Sequence, residues 1–134
     1  MGGYAPEYVK YLRILNRAQL INELLPENKG MSLLTKSEKI YLNNSNLLYA
    51  LTSSQVEEGN VRETFFVNQL QVLHRVNAAK RGDFVVDGKY TFEVGGKNKS
   101  FDQIKDMENS YIAADNMEIG WGDKIPLWLF GLMY

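Results

Sequence analysis

Between Asp83 and Lys99 the chain reads DFVVDGKYTFEVGGKNK, and no other stretch constrains the fold as tightly. Two apolar runs, Phe84-Val85-Val86 and Tyr90-Thr91-Phe92, flank Asp87-Gly88-Lys89. An Asp-Gly pair between β-branched and aromatic residues is a hairpin signal. Side chains alternate along a strand, so Asp83, Val85 and Asp87 share one face of the first strand. Glu93, Gly95 and Lys97 share one face of the second, while Val94 points the other way into apolar packing. Pairing the strands brings Asp83 and Glu93 across from each other near one end. An ordinary hairpin satisfies this pattern; so does the carboxylate pair of a metal-dependent phosphodiesterase.

The 134 residues are enough for one domain, or one small domain with a piece of another. Hydrophobic residues make up 45% and aromatics 12%, which supplies a core and argues against disorder. With 15 basic and 16 acidic residues the net charge is -1, so nucleic-acid binding requires a local patch instead of a global field. There is no cysteine, which excludes disulfides, thiol catalysis and zinc-cysteine sites and fits a cytoplasmic protein. No basic flank precedes an apolar run near Met1. The opening Met1-Gly2-Gly3 has Pro6 where an acylation signal has Ser or Thr. The longest apolar run, 125–134, is about half of what a bilayer span needs. A soluble protein without a membrane partner is expected.

Pro6 suits the first turn of a helix, and Tyr8, Tyr11, Leu12 and Leu15 then recur at helical spacing. Leu20-Ile21 and Leu24-Leu25 come next, and residues 26–30 break the pattern as a loop. This helix, strand and turn over residues 1–30 is similar to the end of a winged helix. The alternatives are a plain helix packed on the domain C-terminal to it, and a DNA-facing basic surface through Lys10, Arg13 and Arg17. Further on, Lys39-Ile40-Tyr41-Leu42 reads as a strand, and 43–46 offers N-caps for a short helix over Leu47–Leu51.

The strongest helical pattern covers 60–76. Val61, Phe65, Phe66, Leu70, Val72, Leu73 and Val76 fall within about half the circumference at 100° per residue. Glu63 lies at the border of that half, where a carboxylate can reach toward a sheet or simply face solvent. His74, the only histidine, stands about 16 Å beyond Glu63 along such a helix, so the two cannot share one ion. Any histidine-based metal site or Ser-His-Asp triad would have to be built on His74 alone. Ser100 is read as the cap of a short helix through Phe101, Ile104 and Met107, Tyr111–Ala114 as a strand, and 125–134 as a strand or buried closing segment. Lys80-Arg81 and Lys97 with Lys99 form either a DNA-facing patch or solubilising surface; Trp121 and Trp128 either stack on bases or pack.

Asp83 and Glu93 with a substrate phosphate would make a reasonable cage for Mg²⁺, which takes oxygen ligands and keeps several waters. The order Asp, spacer, Glu-x-Lys resembles the PD-(D/E)XK nuclease superfamily, where a helix glutamate precedes the strands. By that resemblance Glu63 takes the helix position, Asp83 and Glu93 the metal-binding carboxylates, and Mg²⁺ or Mn²⁺ is the implied cofactor. Gly95 stands at the lysine position. Lys97 keeps the face but lies about 6.6 Å further along an extended strand.

The runs KSEKIYLNNSNLLYAL, NVRETFFVNQL, GDFVVDGKYTFEVGGKNKSFDQI and KIPLWLFGLMY resemble, in order, the C-terminal nuclease-like domain of unknown function in prokaryotic AAA-family ATPases. That resemblance implies an α/β fold for 31–134, a restriction-endonuclease-like mixed sheet flanked by helices, preceded by a partial winged-helix-like segment in 1–30. It implies an accessory domain with a degenerate, inactive nuclease site (Glu63, Asp83, Glu93, Lys97) that contacts DNA, a partner or the ATPase module. The alternative is an active Mg²⁺-dependent DNA nuclease using Asp83 and Glu93. A second copy of the chain is a further candidate partner. Gly95-Gly96-Lys97-Asn98 lacks the spacing and the Ser/Thr of a phosphate-binding loop, so no ATP site is expected.

Overall fold

The computed structural model describes residues 7–27 and 36–133. Pro6, expected to start the first helix, and residues 28–30 of the expected loop lie outside them. Helix α1 (Glu7–Arg17) leads into β1 (Ile21–Leu24), which pairs antiparallel with β2 (Lys39–Leu42) in a two-stranded sheet. This sheet joins a strand from the unit read as 1–30 to a strand from the unit read as 31–134. Only Val9 of α1 is buried, and the apolar stripe read from Tyr8, Tyr11 and Leu15 remains largely exposed. Arg13 pairs with Glu23 at 2.7 Å, which ties α1 to β1.

Helix α2 (Ser45–Leu51) is capped by Asn44, whose side chain accepts from Leu47 N at 2.9 Å, as the Asn-rich stretch predicts. Helix α3 (Glu58–Leu70) carries Thr64, Phe66, Val67 and Leu70 into the core. Five further strands form a mixed sheet in sequential order: β3 (Val76–Ala78), β4 (Phe84–Val86), β5 (Tyr90–Gly95), β6 (Ser110–Ala114) and β7 (Lys124–Pro126). The first two pairings are antiparallel and the last two parallel. A short 3₁₀ helix, Leu127–Leu132, closes the described chain. The protein is a mixed α/β fold, as expected. Among the described residues no helix is long and apolar enough to cross a membrane.

Two helical expectations need correction. The pattern over 60–76 ends as a helix at Leu70, because Leu73 N and His74 N both turn back onto Leu70 O. Val76 then enters β3, where Asn77 pairs with Val85 of β4. Sheet pairing outweighs the helical spacing of Val72, Leu73 and Val76, and leaves Val72 and Leu73 exposed. Residues 101–107, expected as a helix, are a succession of turns in which Ile104 N donates to Phe101 O and Met107 N to Ile104 O. Of the closing segment read over 125–134, residues 125–126 belong to β7 and 127–132 to the 3₁₀ helix, and Tyr134 lies outside the described residues.

The sheet has two covered faces. On one, Phe66 of α3 packs between Phe84, Phe92 and Phe130, with ring centroids 5.0–5.2 Å away. On the other, Ile112 and Ala114 are covered by Ile104 from the turn segment. Phe92 and Val94 belong to the first core. Strand alternation therefore sends the intervening Glu93 to the second face.

Candidate functional site

The hairpin turn is Asp87-Gly88, both at positive φ (54° and 66°), with Lys89 N donating to Val86 O at 3.1 Å. That backbone hand matches the twist of the flanking strands, which is why Asp-Gly serves there. The register pairs Phe84 with Phe92. The ladder ends at that pair, and Asp83 lies just outside it, with its backbone N–H on Phe92 instead of on Glu93, the residue that strand arithmetic sets across from it. Asp83 N donates to Phe92 O, and Asp83 Oδ2 accepts from Val94 N, both at 2.9 Å. These bonds fix the carboxylate at the end of β4.

Glu93 is 1% exposed, a charge-bearing side chain in the middle of a buried strand. Its Oε1 has no hydrogen-bond partner. Its Oε2 meets the ammonium of Lys99 at 2.7 Å as an ion pair, off the direction of an aligned hydrogen bond. Lys99 reaches it because the chain reverses: Lys99 N donates to Gly96 O at 3.0 Å, closing a turn over Gly96-Lys97-Asn98. The lysine stem then lies back across Gly95. A Cβ on Gly95 would stand 2.8 Å from Lys99 Cδ and 3.0 Å from its Cβ and Cγ. Glycine at the expected lysine position is thus what makes room for a lysine arriving from four residues on. Lys97 itself is exposed, and its carbonyl accepts from Lys124 Nζ at 3.0 Å.

Glu63 projects from the edge of α3 and accepts a hydrogen bond from the buried Tyr41 hydroxyl. Lys39, two residues before Tyr41 and on the same strand face, stands 3.8 Å from Glu63 Oε2 and 3.5 Å from Asp83 Oδ1. Its ammonium also lies over the Phe84 ring, 4.8 Å from the centroid. Of the four residues read from the sequence, Glu63 and Asp83 are thus linked through Lys39, and Glu93 is tied to them through Lys99, on which all three carboxylates act. Lys97 does not join. Lys39, Tyr41 and Lys99 complete the cluster, which holds three carboxylates and two ammonium groups. The alternation Lys39-x-Tyr41 on a strand was legible, but nothing in it named the partner.

The electrostatics fit this arrangement. Contact with Glu93 raises the Lys99 pKa above the ordinary lysine value, burial opposes the rise, and Asp83 and Glu63 add to it. Burial, and then the bond to Glu63, push the Tyr41 phenol far above its ordinary value, so it stays a donor.

Among the described residues no three acidic or imidazole groups converge into a ready-made metal cage. Mg²⁺ does not need one: one or two carboxylates plus substrate phosphate and water suffice. The unpartnered buried oxygen of Glu93 is the feature that fits such an ion, since a buried polar atom without a partner costs about 1–3 kcal/mol.

His74 lies at the far end of the hairpin. Its Nδ1 is 2.7 Å from Asp87 Oδ2, while Arg75 N donates to Asp87 Oδ1 at 2.9 Å. The pair braces the turn and is apart from the carboxylates.

No family model, curated protein or solved structure matches the chain.

Proposed function

We propose that this domain is a metal-dependent phosphodiester hydrolase acting on nucleic acid, with Asp83 and Glu93 as the metal-holding carboxylates. The observation that carries the proposal is the approach of Lys99 to Glu93 across Gly95. The strand lacks a lysine at position 95, and the turn after it returns one to the same carboxylate. A helix leading into an antiparallel meander and a parallel strand also supports a restriction-endonuclease-like reading of residues 31–134. The succession of α1 and β1 is compatible with a partial winged-helix-like segment before it.

The bound Mg²⁺ or Mn²⁺ would supply a Lewis acid and a water of lowered pKa. Asp83 and Glu93 would hold it, the first oriented by Val94 N and the second by its strand. Lys99, cationic throughout the neutral range, would stabilise negative charge developing on the phosphate. Lys39 neutralises Glu63 and Asp83 in the resting protein and gives a phosphate a second cation to approach. Glu63, oriented by Tyr41, supports the site from the helix.

Incubating the protein with labelled DNA and Mg²⁺ or Mn²⁺ tests this. Cleavage that Glu93→Ala and Asp83→Ala each abolish, and that Lys99→Ala lowers by about two orders of magnitude, is the expected result. Absence of cleavage by the unaltered protein with both metals would sink it.

The second reading is an accessory domain, carried after an ATPase module, that contacts a partner or DNA without cutting. It is favoured by the exposed apolar side chains of the closing 3₁₀ helix, Trp128, Leu129 and Leu132. A metal-independent complex with an inactive site would select it.

A further inference from the structure

Beside the acidic cluster, on the second face of the sheet, lies an open cavity of about 650 Å³. Its wall includes Lys99, Lys105, Lys124, Tyr111, Trp121 and Asp123. Lys99 belongs both to this wall and to the Glu93 ion pair, so the cavity adjoins the carboxylates. The volume falls within the ordinary range for a small-ligand site of about 300–1,000 Å³.

Trp121 is the unusual member. It is 84% exposed, although an indole is among the most favourable side chains to bury. Its backbone is nonetheless held: Trp121 N donates to Lys124 O at 3.1 Å and Lys124 N to Trp121 O at 3.0 Å. Gly122 turns the chain at φ 58°, and a Cβ on Gly120 would come within 2.9 Å of Lys124 O. The turn therefore presents a large aromatic ring to solvent from a tied backbone, at the mouth of a cavity with three lysines and one aspartate. An exposed ring on a fixed support with cations beside it matches a base with its phosphates.

We infer that this cavity binds an unpaired nucleotide of a single-stranded nucleic acid, with the base stacked on Trp121 and the phosphate backbone along Lys105, Lys124 and Lys99. A strand held in this way leads its phosphates past Lys99 toward Glu93. Duplex does not fit, because its bases are already stacked on each other. The inference deepens the phosphodiesterase reading and rests on it for the choice of nucleic acid as ligand. The geometry that carries it is separate from the metal chemistry.

The test is fluorescence anisotropy of labelled short oligothymidylate and oligouridylate in EDTA, against a blunt duplex of the same length. Single strand of either sugar should bind more tightly than duplex. Trp121→Ala should weaken that binding by about tenfold, since each stacked base contributes on that order. Trp121→Phe should retain most of it, and Lys105→Ala should reduce the salt slope by about one. These side chains are exposed, so the variants should fold, and circular dichroism checks this. Unchanged affinity in Trp121→Ala, or equal affinity for duplex, overturns the inference. Binding that depends on Trp121 without cleavage after Mn²⁺ addition leaves it standing and removes the phosphodiesterase reading. Cleavage with Trp121-independent binding does the reverse.

Discussion

The ammonium of Lys99 stands 2.7 Å from Glu93 Oε2, and the residue it crosses to get there is Gly95. Six positions separate the two partners along the chain, and a turn closed on Gly96 brings them together. Moving the lysine back should therefore be tolerated. Lys99→Ala should lower cleavage by about two orders of magnitude, the scale of losing one charge-stabilising donor. Adding Gly95→Lys to that variant should restore a measurable part. Gly95→Ala alone, which crowds the Lys99 stem, should fall between. Initial rates on one labelled substrate compare all four proteins.

The same ion pair makes stability depend on alkaline pH. The folded-state pKa of Lys99 is raised, so its stabilising contribution is fully present below the unfolded lysine value of about 10.4 and is lost as pH rises through the folded value. Lys99→Met should therefore be less stable than the unaltered protein at neutral pH, and the gap should close above that value. Urea midpoints across the alkaline range measure it.

Tyr41 is a buried phenol whose hydroxyl serves Glu63. Tyr41→Phe keeps the ring against Phe84 and removes only the hydrogen bond. The expected cost is about 1 kcal/mol of stability, with a smaller loss of cleavage than Glu93→Ala. A thermal melt and a rate assay on one preparation separate the two effects.

At the hairpin turn, Asp87 has a lowered pKa, chiefly through Arg75 N and then His74. Its contribution is present above the unfolded aspartate value of about 3.9 and disappears as pH falls through the depressed folded value. Asp87→Asn should narrow the stability difference between neutral and acid pH without altering cleavage. Gly88→Ala should cost about 1–2 kcal/mol, because it forces a side chain to positive φ. Urea titrations at both pH values test each variant.

Phe66 fills the space between Phe84, Phe92 and Phe130 and is fully buried. Phe66→Ala should destabilise by about 3–5 kcal/mol, the largest loss among these variants. Chemical denaturation monitored by far-ultraviolet circular dichroism reads it.

The hairpin was legible in the sequence because its signals are local: Asp-Gly for the turn, alternation for the faces, and an Asp-to-Glu spacing set by both. A helix cap somewhere in 43–46 and the strands at Lys39–Leu42 and Tyr111–Ala114 were legible for the same reason, and the structure settles the cap on Asn44. Helical spacing carries the α3 pattern past its true end, because Val72, Leu73 and Val76 keep that spacing while β3 pairs with β4 through backbone bonds that spacing does not encode. Pattern names Asp83 and Glu93 and the family resemblance adds Glu63, and how the three lie relative to one another depends on the packing of α3 against β5 and on the hairpin register. Lys39, Tyr41 and Lys99 were decided by tertiary structure alone. A lysine's role depends on which carboxylate its flexible stem can reach, and here a turn, a missing Cβ and a neighbouring strand set that reach.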